Sequence, residues 1–202
     1  MTERKRDELL GIRTAGTRDW NYDITQYYRY EPTSYEALDT LSENYKFDGV
    51  NRVVDFGCGR GRVAFYLHNR FRLPVTGIEA NSITYEEALE NLTSYRFKAN
   101  HIPAPIEFKL GLAQHYTIDK ADDCFYFFNP FSVHIFGKVV NNILRSVTRD
   151  KRMVNLILYY PFPDYIDYLR IKPFTVVKEI EVPNTIDIRE KFLIYRLSEE
   201  DI

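Results

Sequence analysis

The sequence predicts an α/β protein with a doubly wound, mostly parallel seven-stranded sheet, helices on both faces and a C-terminal antiparallel hairpin. Three observations lead to this prediction. A short apolar run at 53–56 turns through three glycines into an amphipathic stretch. Short apolar runs then alternate with stretches of helical periodicity, which is typical of βαβ units. Finally, two alternating segments at 174–182 and 191–197 flank a turn at Pro183–Asn184, the pattern of a hairpin.

Residues 1–29 are polar and mixed in charge, and we expect them to form an N-terminal arm or lid before a main domain at 30–202. A helix should follow, with Thr33 as its cap and Glu36 completing a capping box. The apolar residues of that helix have helical spacing and should pack on the sheet: Tyr35, Leu38, Leu41 and Tyr45. The tyrosines just before it are either a cover for a ligand or ordinary core and surface aromatics.

The glycine turn is the most informative local pattern. Asp55 is followed by Gly57, Gly59 and Gly61, and glycine at alternate positions permits positive φ angles and leaves the backbone open to a ligand. The N–H groups that open the next helix would face that ligand. A dinucleotide fingerprint places its third glycine three residues after the second, and here that residue is Arg62. The turn therefore predicts a nucleotide-like cofactor, with a spacing that disfavours NAD.

The elements after the turn follow in a regular order. Val63, Leu67 and Phe71 mark a helix, and a strand at 73–79 ends in Glu79, whose carboxylate could accept hydrogen bonds from a ribose diol. The remaining predicted elements are a helix capped by Asn81 or Ser82, a strand at 106–110, a strand over 124–128, a helix through Phe136 and Val147, a strand at 153–160 and a short helix at 164–169.

Composition limits the function classes. The 202 residues suit one domain, and a net charge of -2 gives no general attraction to nucleic acid or to an anionic membrane. A local basic face would still leave nucleic acid open as a partner. Cys58 and Cys124 lack disulfide or metal-ligand spacing, so we predict two buried thiols and no metal site. Because no leader or membrane-spanning apolar run is present, we expect a cytoplasmic protein without a membrane partner.

The D-x-G-x-G-x-G turn and the following strand that ends in Glu79 resemble the class I S-adenosylmethionine-dependent methyltransferases. The resemblance extends from about Tyr30 to the end of the chain and implies S-adenosyl-L-methionine as cofactor. It also implies that the last strand is inserted antiparallel into the sheet. The cofactor-binding positions that it implies are Tyr30, Asp55, Gly57, Cys58, Gly59, Glu79, Ala80, Ala113, Gln114 and Asn129. Many members of the family have an acid where this chain has Gln114.

Asn129-Pro130-Phe131 follows the apolar run at 124–128 and is similar to a shortened Asn/Asp-Pro-Pro-aromatic motif of amino-group methyltransferases. This resemblance implies that the three residues are catalytic and that the acceptor is an amine nitrogen of a protein or small molecule. The alternative is a strand-ending Asn-Pro turn with Phe131 buried. Two other function classes remain: a non-catalytic cofactor-binding module on the same fold and an NAD-dependent oxidoreductase. No strong general base is evident, although His115 and His134 follow strands and could serve.

Overall fold

The computed structural model describes residues 1–17 and 26–198. The strands are β1 (Val53–Phe56), β2 (Val75–Glu79), β3 (Ile106–Leu110), β4 (Cys124–Phe127), β5 (Val154–Tyr159), β6 (Thr175–Glu181) and β7 (Lys191–Leu197). The α-helices are α1 (Glu3–Leu10), α2 (Tyr35–Asn44), α3 (Arg62–Phe71), α4 (Ser82–Ala99), α5 (Val133–Arg149) and α6 (Pro163–Arg170). Within the described ranges, none of these helices combines the length and apolar character needed to cross a membrane.

The strands form one sheet in the order β3-β2-β1-β4-β5-β7-β6. β1 to β5 are parallel, and β7 is antiparallel to both of its neighbours, which confirms the predicted fold class. After β1, the chain adds β2 and β3 toward one edge of the sheet. It then returns to the other side of β1 and adds β4 and β5 toward the opposite edge. Such a reversal creates a crevice at the carboxyl ends of the two central strands, where ligands bind in open α/β sheets.

Burial explains why the central strands are continuous apolar runs. Every residue of β1, β4 and β5 is buried, because helices cover both faces of the sheet. The cores on the two faces contain, respectively, residues of α2, α3 and α4 and residues of α5 and α6. The edge strand β6 is mostly exposed and includes Lys178 and Glu179, charges that discourage pairing with another chain.

The helix starts agree with the sequence except at α2. Asn81 caps α4, as predicted, by accepting a 3.0 Å hydrogen bond from the Thr84 N–H. The α2 cap is Ser34, which accepts from the Ala37 N–H at 3.1 Å, so the prediction of Thr33 was wrong by one residue. Thr33 is instead buried, and its hydroxyl lies 2.8 Å from the Tyr126 hydroxyl.

Helix α1 lies within the segment that we expected to be an arm or lid. Its sequence has no apolar face, and its one buried residue is Asp7. That carboxylate accepts hydrogen bonds from the N–H groups of Thr14 and Ala15 and from the Tyr35 hydroxyl. Polar contacts therefore attach α1 to the domain. The portion of the expected arm at 18–25 lies outside the described residues.

Candidate functional site at the carboxyl edge of the sheet

The glycine turn leaves β1 with three residues in the left-handed region. Gly57, Gly59 and Gly61 have φ angles of 74°, 55° and 90°, which only glycine adopts without strain. The N–H groups of Gly57 and Cys58 both donate to the Ile78 carbonyl, at 2.9 and 3.1 Å. These bonds fix the turn against the end of β2. The predicted backbone geometry of the turn is therefore confirmed.

Protein groups, rather than open space, lie against all three of these glycines, with Phe108 and Phe65 against Gly61. A Cβ atom at Gly57 would be 2.3 Å from the Pro130 Cβ, and one at Gly59 would be 2.1 Å from the Tyr30 ring. Both distances are far below van der Waals contact. Glycine is therefore required here because Pro130 and Tyr30 cover the turn.

Glu79 connects this turn to the next helix. Its Oε2 accepts from the Gly59 N–H at 2.8 Å, and its Oε1 accepts from the Asn81 N–H at 2.8 Å. The side chain is buried, which raises the pKa of the carboxyl, while the backbone hydrogen bonds oppose that rise. Each oxygen keeps one further acceptor position. Ala80, half-buried beside Glu79, occupies the short link to α4.

Asp55 has an unsatisfied buried oxygen. The residue is 3% exposed, and its Oδ2 has no hydrogen-bond partner among the residues that the structure describes. Burial, with a smaller contribution from the Glu79 charge, raises the pKa of Asp55 to about 8. The side chain lines a cavity of about 20 Å³ with Tyr30, Gly57 and Cys58, a volume that suits about one water molecule.

Residues 26–33, which we call the tyrosine segment, run across the carboxyl edge of the sheet. The Tyr28 N–H donates to the Pro130 carbonyl at 3.0 Å, and the Ser132 N–H donates to the Gln26 carbonyl at 2.7 Å. These two bonds pair the segment with the chain that follows β4. The tyrosine segment therefore covers the crevice at the centre of the sheet.

Tyr30 is the residue of this segment that lies over the glycine turn. Its hydroxyl donates to the Thr14 carbonyl at 2.6 Å, and the Arg60 guanidinium lies 5.0 Å from the ring centroid. A cation at that distance is attracted by the aromatic face. The ring is thus held on both sides in a position that closes the small cavity beside Asp55.

Ala113 and Gln114, two of the implied cofactor-binding positions, contact Tyr27. The Tyr27 hydroxyl donates to the Gln114 Oε1 at 2.7 Å and accepts from the Ala113 N–H at 3.0 Å. Ala113 is buried, and burial raises the pKa of Tyr27 to about 12. Nearby, beyond β2 and β3, Gly111 and Leu112 line a cavity of about 430 Å³.

Asn129, two residues after the end of β4, has an uncommon backbone conformation. Its φ is 41°, and its side chain donates from Nδ2 to the Tyr160 carbonyl at 2.5 Å and accepts at Oδ1 from the Phe162 N–H at 3.1 Å. Tyr160, at the end of β5, also has a positive φ, of 49°. The amide therefore joins the ends of two adjacent strands, and its oxygen keeps one acceptor position.

The burial of Phe131 fits the alternative of a strand-ending Asn-Pro turn, whereas the position of Phe128 differs from the sequence-based prediction. Phe131 is fully buried and packs against Tyr27 and Phe127, with ring centroids 5.5 and 6.3 Å away. The structure therefore does not bring Phe131 to a cavity. Phe128, which the sequence analysis treated as the last residue of the strand, lies beyond β4 and is half-buried at the surface of the site.

A second cavity of about 400 Å³ lies beside Asn129. Its volume is in the range of small-molecule sites. It is lined by Tyr28, Arg29, Glu31, Phe128, Asn129, Tyr159, Tyr160, Phe162 and Glu190. Glu31 and Phe128 also line the small cavity at Asp55, so they separate the two spaces.

Arg62 is a site residue that the sequence analysis did not identify. It is 3% exposed, and it donates to the Thr14 hydroxyl at 2.6 Å and to the Thr33 carbonyl at 3.1 Å. It also pairs with Glu3 and Asp7 of α1. Arg62 therefore links the glycine turn, the tyrosine segment and α1. The only signal in the sequence was that Arg62 occupies the position of the third glycine of a dinucleotide-binding fingerprint.

Solved structures that resemble this chain include several methyltransferases. Pyrococcus abyssi tRNA (uracil-54, C5)-methyltransferase in complex with S-adenosyl-L-homocysteine has a TM-score of 0.56 and 15% identity over 83% of this chain and 39% of that one. Mitomycin 7-O-methyltransferase has a TM-score of 0.58 and 16% identity over 81% and 53%. A human methyltransferase 10 domain containing protein has a TM-score of 0.55 and 15% identity over 84% of each chain.

These likenesses establish the Rossmann-like α/β fold. This chain spans about two fifths of the length of the tRNA methyltransferase that it resembles. No protein-family model matches the sequence, and a search of curated proteins found no significant match.

Proposed function

We propose that this protein is an S-adenosyl-L-methionine-dependent methyltransferase that acts on an amine nitrogen. The observation that carries the proposal is the unpartnered, buried Oδ2 of Asp55 beside the glycine turn. A buried carboxylate without a partner is costly, and a bound ammonium group would supply both a donor and a compensating charge. The methionine end of the cofactor carries such a group.

The residues around the turn fit the cofactor in chemical type. Asp55 would accept from its ammonium group, and Glu79 would accept from its ribose hydroxyls through the acceptor positions that the backbone leaves open. Gln114 would contact the adenine. The Tyr30 ring, however, lies on Gly59 and leaves only about 20 Å³ beside Asp55. Cofactor binding therefore requires Tyr30 to move.

When bound, the cofactor would supply an activated methyl group with its own leaving group. The chain would hold the acceptor in line and exclude water, which is the main contribution of a protein to such a displacement. The remaining acceptor position on the Asn129 amide oxygen would orient the N–H of a neutral amine, and the proton lost from nitrogen would pass to solvent. Pro130 would support this arrangement through its contact with Gly57.

We extend the proposal to acceptor and location. An amine of a protein or small molecule accords with the Asn129-Pro130 strand end, and a cytoplasmic location accords with two buried free thiols, Cys58 and Cys124. The alternative is a non-catalytic module on the same fold. That alternative draws support from the Asn129 amide, whose two ends already bond to the backbone.

Calorimetry with S-adenosyl-L-methionine, S-adenosyl-L-homocysteine and NAD tests the proposal. We expect both sulfur compounds to bind and NAD to give no heat. Glu79→Ala removes two ribose hydrogen bonds, each worth about 1.5–3 kcal/mol before water compensates, so the cofactor should bind far more weakly. Gly59→Val should also abolish binding, because a φ of 55° strains a β-branched residue and its Cβ would occupy the face of the turn on which the Tyr30 ring now lies.

Glu181→Ala, an exposed carboxylate on β6, is the matched control and should bind as the wild type does. Tight NAD binding without any response to the sulfur compounds would contradict the proposal. Cofactor binding without transfer of a labelled methyl group to any fraction of a cell extract would favour the non-catalytic module.

A further inference from the structure

The 400 Å³ cavity beside Asn129 has an unusual lining that the proposed function does not use. Five of its nine residues are aromatic, namely Tyr28, Phe128, Tyr159, Tyr160 and Phe162. The charged residues of the lining are two glutamates and one arginine. Such a combination of aromatic faces and net negative charge suits a positively charged, partly apolar group.

Three of the rings form inclined walls. Phe128 lies 4.7 Å from Tyr159 at an interplanar angle of 61°, and Tyr160 lies 6.5 and 6.4 Å from these two rings at 64° to each. All three contacts are edge to face, so the rings form one continuous aromatic surface along the cavity. Tyr28 and Phe162 meet edge to face at 5.8 Å and add a further wall.

The charges at the cavity do not cancel. Arg29 pairs with Glu31 at 3.0 Å, which neutralises that glutamate. The Glu190 carboxylate accepts from the Tyr159 hydroxyl at 2.8 Å and from the Thr185 hydroxyl at 2.7 Å. No lysine or arginine within 1–17 and 26–198 forms an ion pair with Glu190. The cavity therefore keeps one negative charge, fixed in position by two neutral hydroxyl donors.

One of these rings, that of Tyr160, already lies against a cation. The Arg189 guanidinium lies 4.9 Å from the Tyr160 ring centroid and is paired with Asp187 at 2.6 Å. Because Asp187 neutralises it, Arg189 does not oppose a second cation on the cavity side. The lining is thus an aromatic site with its own fixed carboxylate.

We propose that this cavity binds an alkylammonium group that the methyl acceptor carries in addition to its neutral, reacting amine, so that the substrate class is a cationic amine compound. The inference rests on the proposed function, since only a methyltransferase has a methyl acceptor. Phe128 and Glu31 separate this cavity from the one beside Asp55. A substrate seated here would lie against Asn129, at the edge of the proposed methyl-donor site.

The test compares choline with 3,3-dimethyl-1-butanol, a neutral compound of the same shape, by NMR titration of the isotope-labelled protein without cofactor. We expect choline to bind at least tenfold more tightly. Glu190→Gln keeps one acceptor oxygen for one hydroxyl and places an NH2 group, which a hydroxyl oxygen can accept from, beside the other, but it removes the charge. It should weaken choline binding at least fivefold while leaving the alcohol unaffected. Glu181→Gln, outside the cavity, is the matched control.

Aromatic variants test the walls. Tyr28 is 42% exposed, so its replacement should leave the fold intact. Tyr28→Leu should weaken choline binding, whereas Tyr28→Phe, which keeps the ring, should not. A comparison of n-butylammonium with a lysine-containing pentapeptide then separates a small-molecule source of the ammonium group from a protein side chain, according to which of the two binds more tightly.

Equal binding of choline and the alcohol would overturn the inference. Binding of adenosine monophosphate in this cavity in preference to choline would also overturn it and would indicate a nucleic-acid acceptor. Because no step requires the cofactor, these results are separable from the calorimetry above. If the protein binds choline selectively but does not bind S-adenosyl-L-methionine, the inference of a cation site holds and the methyltransferase proposal fails.

Discussion

At the scale of single residues, Asp55 has the strongest functional signature. Its carboxyl group is buried at the end of β1, has an unpartnered oxygen and has a pKa raised to about 8 by burial and by Glu79. Perturbed carboxyl groups in a crevice are common at functional sites. In the closed state that the structure shows, the group is protonated at neutral pH, and a bound ammonium would favour its ionised form.

This pKa predicts a pH dependence of stability. The unfolded carboxyl titrates near 3.8 and the folded one near 8, so between these values the folded state binds more protons. The free energy of unfolding therefore falls as pH rises through that window, by up to about 1.4 kcal/mol per pH unit. Asp55→Asn is neutral at every pH and should lose this dependence.

Differential scanning calorimetry at pH 6 and pH 9 measures the effect. The melting temperature of Asp55→Asn should exceed that of the wild type by more at pH 9 than at pH 6. Asp164→Asn, at an exposed position in α6, is the control and should parallel the wild type. A pH slope that Asp55→Asn shares with the wild type would show that Asp55 does not titrate in this range.

Asn129 combines a backbone and a side-chain role that substitutions can separate. Its φ of 41° favours glycine over alanine, so Asn129→Gly should be more stable than Asn129→Ala by about 1 kcal/mol although both lose the amide. If Asn129 orients the acceptor, both variants should lose methyl transfer at least tenfold and keep cofactor affinity within a few-fold. Thermal melts and turnover per folded molecule, measured on one preparation, distinguish the roles. Unchanged turnover would assign Asn129 to structure alone.

At the scale of elements, the tyrosine segment controls access to the glycine turn. Tyr30 fills the space above Gly59 and is held by Thr14 and Arg60. Its backbone neighbours pair with the chain after β4, so opening must break that pairing or rotate the ring alone. Either route places a barrier before cofactor binding.

Tyr30→Ala should remove that barrier. We expect the association rate of S-adenosyl-L-methionine, followed by stopped-flow fluorescence, to rise at least tenfold. Tyr30→Phe loses only the hydrogen bond to the Thr14 carbonyl and should lie between the alanine variant and the wild type. An unchanged association rate in Tyr30→Ala would mean that the cofactor enters by another route.

Elements with a clear local sequence pattern could be predicted, whereas those that depend on contacts between residues far apart in sequence could not. The strand β3 lies where its alternation placed it, because one face is buried and the other exposed. Helix α1 has no apolar periodicity and pairs with Arg62, so only its caps, Thr2 and Gly11, mark it in the sequence. The Ser34 cap was missed by one residue because Thr33 is an equally good cap and is drawn inward by Tyr126.

At the scale of the whole molecule, the sequence predicts a candidate site at the carboxyl ends of β1 and β4, and the structure brings the glycine turn, Glu79 and Asn129 to that edge. The glycine turn and the two strand-end acids lie together because parallel strands bring their ends to one edge. The contact of Tyr30 with Gly59, which closes that site, and the position of Phe128 at the cavity beside Asn129 could not be predicted. Both depend on contacts between segments far apart in sequence, which residue patterns do not encode.

The position of β7 also constrains how the chain acquires this architecture. β6 is synthesised before β7 but pairs with the sheet only through it. Until β7 forms, the β5 edge, an apolar and fully buried strand in the finished protein, has unpaired backbone groups. Such an edge is a template for pairing between nascent chains. The charged edge strand β6 can therefore cover the sheet only after β7 has paired with β5. We expect aggregation through the β5 edge in the interval before that pairing.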